Sequence, residues 1–459
     1  MLKRRALVAS VAAGALTSAA PVGEGHGKLA RFPLVTADYA PLRRVLVHTP
    51  SVDDLSLTLA TQDVFDTSWP AFHPEATTEH EGFIQLLRNS GTEVLQVQDL
   101  LIAAVEEAKL RGSWETWLAA AAPHLAADPR KVDAASLLGR DPRYQFQKDA
   151  SGAYRHVMDG VTSLCWARDF GMMVPSGLII ANSSDKFRRY ENVLFRFMIR
   201  FAPELQHYPV VLDAAQEGLY LEGGDLTVLD EHTLLLGVGN CSDPRIASVL
   251  ARRLGMDVIA VQMRKVDFVK KGKRESALQS LLPHLDTCAT LLGPKHALVI
   301  PWLLEQRHAR DNPFIGFLHG AAGNEGVDGE EVEKLIDEVS NIGWVRRYIA
   351  GSGAEDASVK DLKLADWLRR RGFEVLTVGG LPPVGTDYRH LIRVVFTELD
   401  RQAANVLTVA PGQAIAYSGA VETQRGLKRA GIAVRTFDGR ELESGGGGPH
   451  CLALPLERG

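Results

Sequence analysis

Near the C-terminus, the glycines Gly445 to Gly448 lead through Pro449 and His450 to Cys451, and the apolar run Leu452-Ala453-Leu454 follows. Glycine lets a backbone approach a ligand closely. The apolar run reads as a brief buried strand, which places Cys451 where a loop meets the rigid core. A thiol there is fixed by the scaffold while the loop opens and closes. The same residues also describe an inert buried cysteine on a terminal strand, since free cysteine is among the most buried residue types.

Three upstream clusters carry further chemistry. Leu164-Cys165-Trp166-Ala167-Arg168-Asp169-Phe170 sets an acid behind an aromatic residue, and Leu221-Glu222-Gly223-Gly224-Asp225 puts two carboxylates on a glycine turn. Pro283-His284-Leu285-Asp286-Thr287 spaces a histidine and an acid two apart, which on a strand points both to one face. Separately these read equally as a surface ion pair, a polar turn and a solvated strand edge. Jointly, a cysteine, a histidine and several carboxylates are what nucleophilic attack on a cationic carbon requires. Carboxylates bind the planar guanidinium fork, a thiolate can add to its central carbon, and an imidazole can protonate the departing amine.

The elements that must position these groups form a rhythm. Four times a polar helix end gives way to Gly-x-x-Val-x-x-Val/Phe, starting at Gly91, Gly255, Gly372 and Gly431. Such a glycine takes the left-handed position that ends a helix, and a strand follows. A fifth unit runs from a helix around Val193–Phe201 to a strand at Tyr208–Leu212. Further strands are expected at 43–48, Leu178–Ala181, Leu234–Val238, Ala297–Ile300 and Val406–Val409, with a helix over 77–90. Five strand–helix–strand units make an internal repeat, although an ordinary doubly wound sheet strings the same elements together. Residues 98–146 read as helix without strand, a small insertion.

The chain has 459 residues, 46% hydrophobic and 23% charged, with a net charge of −5. This is a globular composition without the basic excess of a nucleic-acid binder, and no apolar run reaches the roughly 18 residues of a membrane-spanning helix. Cys165, Cys241, Cys288 and Cys451 are too scattered for a disulfide framework. No CxxC or HExxH spacing offers a metal site, and a reduced compartment fits best. Against that, residues 1–35 hold five basic residues and one acid, and Arg4-Arg5 precedes an Ala-rich run. The segment reads either as a twin-arginine-like export signal or as an unstructured leader.

The ordered set of motifs resembles the arginine deiminase family, within the guanidino-group-modifying superfamily. The resemblance runs through Leu42–Pro50, Glu79-His-Glu-Gly-Phe83, Ala167-Arg-Asp169, Glu222-Gly-Gly-Asp225, His284-Leu-Asp-Thr287, Asn405–Gly412 and Gly447-Gly-Pro-His-Cys451, covering roughly 36–459. It implies an α/β fold, the five-bladed ββαβ propeller or pentein, forming one catalytic domain over 36–459 with a helical insertion at 98–150.

The resemblance also implies roles. Cys451 would be the nucleophile and His284 the acid and then the base. Asp169 and Asp286 would grip the guanidinium, while Glu222 would bind it or steady His284. Arg188, Trp166, Asp225 and Ser163 would contact substrate. No metal or organic cofactor is implied, and the partner would be a small guanidino compound, with a homo-oligomer compatible and no nucleic acid or membrane involved. The family location is cytoplasmic, with export as the alternative.

Departures concern the arginines that hold a free amino acid's carboxylate. Arg188 matches one, Pro244 stands at a second with Arg245 one residue late, and the Gly445–Gly448 loop has none. Each missing charge-assisted contact is worth about 1.5–3 kcal/mol. Hydrolysis of L-arginine to citrulline and ammonia is the leading reading. An amidinotransferase or a deiminase of modified or peptidyl arginine is the second, and an idle guanidino-binding relative the third.

Overall fold

Each helix-ending glycine of the repeat adopts positive φ: 79° at Gly91, 65° at Gly255, 87° at Gly372 and 78° at Gly431. A strand begins two residues after each, at Glu93, Asp257, Glu374 and Ala433. In this computed structural model the described residues are 34–51, 74–123, 125–140, 146–148, 150–156, 161, 163–185, 188–239, 241–263, 282–306, 312–322, 329–359, 361–380 and 388–459.

Among them, five sheets share one plan: an outer strand, an antiparallel central strand, and a third strand parallel to the central one. The first sheet joins Leu454–Arg458, Leu42–Val47 and Glu93–Gln96, so the two ends of the chain lie in one sheet. The second joins Gly171–Val174, Gly177–Ile180 and Val210–Asp213. The third joins Leu226–Asp230, Thr233–Val238 and Asp257–Gln262, and the fourth Ala289–Gly293, His296–Val299 and Glu374–Thr377. The fifth joins Leu407–Ala410, Gln413–Tyr417 and Ala433–Phe437. A parallel neighbour needs a crossover, and helices supply it at Glu75–Asn89, Arg189–Phe201, Ile246–Leu254, Leu364–Arg370 and Val421–Arg429.

The expected strands and the first helix fall within one or two residues of their observed bounds, while the helix expected around Val193–Phe201 starts four residues earlier, at Arg189. The first strand is Leu42–Val47, the first helix Glu75–Asn89 and the fifth repeat strand Val210–Asp213. The crossover helix Arg189–Phe201 buries Leu194, Phe195, Phe197, Met198 and Phe201 in one stripe, packing against the helix Val97–Leu110 of the inserted segment. That segment also holds helices Trp114–Ala121 and Ala134–Leu137. Its far end differs from expectation: Phe146–Lys148 pairs antiparallel with Tyr154–His156. Pro313–Ala322 and Gly329–Asn341 are helices, and the chain then adds Val345–Tyr348 and Glu355–Asp356 to the third sheet.

Of the 1–35 leader, residues 1–33 lie outside the described residues. Leu34 and Val35 are buried, and Val35 bridges to Arg458, so these two belong to the folded body. No helix among the described residues is long and apolar enough to cross a membrane.

Candidate active site

The five sheets place chemistry at equivalent points, in the short segment just before each outer strand. Asp169 lies in the 3-10 turn Ala167–Phe170 before Gly171, and Glu222 precedes the turn Gly223–Asp225 before Leu226. His284 and Asp286 flank or sit in the turn Leu285–Thr287 before Ala289. Asn405 precedes Leu407, and Cys451 precedes Leu454. The His-x-Asp spacing therefore sits on a turn, where a strand was expected, and both side chains still meet the same cluster. The strand after Cys451 likewise begins at Leu454, later than Leu452.

Glycine makes the convergence possible at two points. A Cβ on Gly224 would stand 2.8 Å from the His284 ring and 3.0 Å from Asp169 Oδ1, and one on Gly448 would stand 2.6 Å from the Asn405 carbonyl oxygen. Real Cβ contacts do not come that close, so any side chain there would push the site apart.

Cys451 is 4% exposed. Its Sγ accepts from Asn405 Nδ2 at 3.2 Å and donates to Asp286 Oδ2 at 3.4 Å. Asp286 Oδ2 also meets His450 Nδ1 at 2.8 Å, while its buried Oδ1 has no partner among the described residues. That second oxygen is available to an incoming N–H, because a buried carboxylate oxygen without a donor is costly to leave bare. His284 Nε2 lies 2.8 Å from Glu222 Oε2, and its Nδ1 lies 3.7 Å from Asp169 Oδ1. Ser183 Oγ donates to Glu222 Oε1 at 2.5 Å, and Gly224 N–H donates to Asp169 Oδ1 at 3.0 Å.

The electrostatics follow from these neighbours. Burial pushes the Cys451 thiol up to about 12, with the charges of Asp286 and Asp169 adding to it and His284 pulling the other way. Burial opposes charge on His284, yet Asp169 and the thiols of Cys241 and Cys451 hold it well above its usual 6.5. Asp169 and Glu222 are also desolvated, but His284 and Arg188 carry both below their ordinary values. The pair is thus a neutral thiol beside an imidazolium.

The expected substrate-binding positions divide. Arg188 is buried within the cluster. Its Nη1 donates to Asp169 Oδ2 at 2.6 Å and stands 3.7 Å from Glu222 Oε2, and its Nε donates to Glu191 Oε2 at 3.1 Å. Here its guanidinium faces carboxylates of the protein. Ser163 and Trp166 accept from Arg188 Nη2 through their carbonyls, and the Trp166 ring closes over Gly447. Asp225 is occupied by protein donors, Ser242 Oγ at 2.6 Å and Leu285 N–H at 3.1 Å, and burial pushes it up to about 7. It ties the Glu222 turn to the His284 turn. Arg245 is turned onto Asp243, with Nη2 to Oδ2 at 2.6 Å, and its side chain is 76% exposed.

Sequence reasoning missed four contributors: Asn405, His450, Ser183 and Cys241. Asn405 and His450 stood inside quoted motifs and could have been flagged there. Nothing local marks Ser183 or Cys241, which reach the cluster only through the tertiary fold.

A family model described as arginine deiminase matches residues 69–137, 131–315 and 357–458. The arginine deiminase of Metamycoplasma hominis is 25% identical over 437 residues, covering 92% of this chain and 96% of its own. That of Listeria welshimeri serovar 6b is 25% identical over 453 residues, covering 92% and 98%. Among solved structures, an AgrE mutant in binary complex with L-arginine matches 91% of this chain with a TM-score of 0.49 and 14% identity, and the chain spans 40% of that protein's length.

Proposed function

The chain belongs to the arginine deiminase family, and from that premise we propose that it hydrolyses the guanidino C–N bond of L-arginine to L-citrulline and ammonia, with Cys451 as nucleophile. The observation that carries the reading is the meeting of Cys451, His284, Asp286, Asp169 and Glu222 in one buried cluster built from four of the five sheets.

A guanidinium entering the cluster brings a positive charge beside Asp286 and Asp169. The two carboxylates that oppose ionisation of the thiol are then offset, and its proton leaves to solvent. The thiolate adds to the central carbon and forms the C–S bond. The His284 imidazolium gives its proton to the departing nitrogen, and the C–N bond breaks with loss of ammonia. An amidino thioether remains on Cys451. Neutral His284 next removes a proton from water, the hydroxide adds to the same carbon, and collapse expels the thiolate and leaves the ureido group. Glu222, held by Ser183, keeps the imidazole oriented through both steps.

The scaffold of this reading is a five-bladed α/β propeller over residues 36–459, with 98–150 as its helical insertion. Support comes from the shared sheet plan, from the pairing of the first and last strands, and from links between sheets such as Thr290 Oγ1 to the Ala404 carbonyl and Thr408 Oγ1 to that of Leu291. Four cysteines without disulfides support a reducing, cytoplasmic setting.

One observation favours a second reading on substrate size. Arg188 and Arg245 are both engaged with protein carboxylates, and the Gly445–Gly448 loop supplies no cation, so the carboxylate end of free arginine is thinly held. The test is ammonia release from arginine, agmatine, a methylated arginine and an arginyl peptide. Preference for arginine with an amidino adduct on Cys451 by intact mass supports the first reading. Preference for the peptide or methylated compound selects the second, and no adduct with any of them rejects both.

A further inference from the structure

Cys241 is a second thiol at the catalytic imidazole. One donor atom each from Glu222, Cys241 and His284 lies within 4.8 Å of the others, with Glu222 and His284 buried and Cys241 half-buried. Cys241 Sγ also lies 3.5 Å from the Pro283 carbonyl, which fixes it beside the His284 backbone. Two sheets bring these donors together: Glu222, before Leu226, and Cys241, after Val238, lie at the same end of the antiparallel pair in the third, and His284 comes from the entry to the fourth.

A thiolate, an imidazole and a carboxylate are the donor set of a borderline-soft divalent ion, and three protein ligands leave a fourth position for water. Around a tetrahedral zinc, with bonds of about 2.0–2.3 Å, donors stand roughly 3.3–3.8 Å apart. The three atoms already lie within 4.8 Å of one another, so reaching that spacing takes shifts of at most about 1 Å, within reach of side-chain rotation at a half-buried cysteine. Calcium and magnesium are disfavoured, since each prefers six or more oxygen ligands.

We propose that Glu222, Cys241 and His284 form an inhibitory site for zinc or a similar thiophilic divalent ion. Binding removes the Cys241 thiol proton and the proton His284 shares with Glu222, and both leave to solvent. The imidazole lone pair is then committed to the metal, so His284 can neither protonate ammonia nor activate water. The nucleophile Cys451 is not a ligand. Metal binding is read without turnover, so its failure is distinguishable from failure of the proposed hydrolysis.

The experiment titrates the full chain with Zn²⁺ by calorimetry and with Co²⁺ by near-ultraviolet absorption, where a thiolate–cobalt bond gives a charge-transfer band. Wild type and Cys451→Ser should each bind one ion and show the band. Cys241→Ser should lose the band and bind Zn²⁺ at least roughly tenfold more weakly, with zinc inhibition weakened in parallel. A band lost in Cys451→Ser and kept in Cys241→Ser overturns the proposal, as does a folded wild type that binds neither ion. Should Cys241→Ser not fold, alkylation of Cys241 in wild type, followed by peptide mass, decides the matter. Zinc must slow it, and an unchanged rate overturns the assignment.

Discussion

The side-chain amide of Asn405 holds Cys451 at two points: Nδ2 donates to Sγ at 3.2 Å, and Oδ1 accepts from the Cys451 backbone N–H at 3.1 Å. The entry to the fifth sheet therefore fixes both the position of the loop and the direction of the sulfur. A hydrogen bond to a developing thiolate is charge-assisted and worth about 1.5–3 kcal/mol. Asn405→Ala should lower kcat by about 10- to 100-fold, with the melting temperature changed by only about 3 °C. Steady-state kinetics beside thermal denaturation checks this. Unchanged kcat would mean that the thiol is oriented by Asp286 alone.

The raised thiol predicts how Cys451 responds to reagents of different charge. A thiol at about 12 is almost wholly protonated at neutral pH, so alkylation by neutral iodoacetamide should climb continuously with pH toward that value. A cationic amidine reagent such as 2-chloroacetamidine carries the charge that offsets Asp286 and Asp169. It should inactivate fastest near neutral pH and outpace iodoacetamide there. Equal rates for the two reagents across the range would show that the thiolate forms without help from a bound cation.

Asp225 predicts a stability effect of definite sign. Its carboxyl is pushed by burial to about 7 from an ordinary 3.8, so folding favours the protonated form. Its contribution is fully present below about pH 3.8 and is lost as pH rises through about 7. The change is worth roughly 4 kcal/mol. Asp225→Asn keeps an acceptor for the Leu285 N–H and cannot ionise. The melting temperature of wild type minus that of Asp225→Asn should therefore fall between pH 5 and pH 8, and a constant difference would show that Asp225 is ionised in the fold throughout.

What the sequence made legible is local. Gly91, Gly255, Gly372 and Gly431 end helices because nothing else takes positive φ there so cheaply, and a strand must follow to bury the next apolar residues. Cys451, His284, Asp286, Asp169 and Glu222 could be picked out because their types match one chemistry. The bonds among them could not. Glu222 and His284 are 62 residues apart, and Asn405 and Cys451 are 46 apart, so their meeting is set by how separate sheets are placed. The His284-Leu285-Asp286 spacing was read with strand geometry, whereas the chain turns there. Asp225 was expected to contact substrate, and its protein donors, Ser242 and Leu285, arrive from segments that its own motif does not show.

Arg188 is the counter-charge of the buried acid cluster. Its guanidinium is shared by Asp169 and Glu191 through hydrogen bonds and stands 3.7 Å from Glu222, and burial would leave Glu191 near 7 even with this cation beside it. Removing the charge strands three buried acids, a loss of about 3–5 kcal/mol when one partner of a buried pair is deleted. Arg188→Ala should therefore melt markedly lower than wild type. Arg188→Lys keeps the charge but loses the planar fork that meets Asp169 and Glu191 together. It should stay folded, with KM for arginine raised about tenfold or more and kcat reduced less. Thermal denaturation and the split between KM and kcat separate the two roles. If Arg188→Ala melts like wild type and binds arginine more tightly, Arg188 merely fills the guanidinium pocket, and the carboxylates are held apart by the backbone and Ser183 instead.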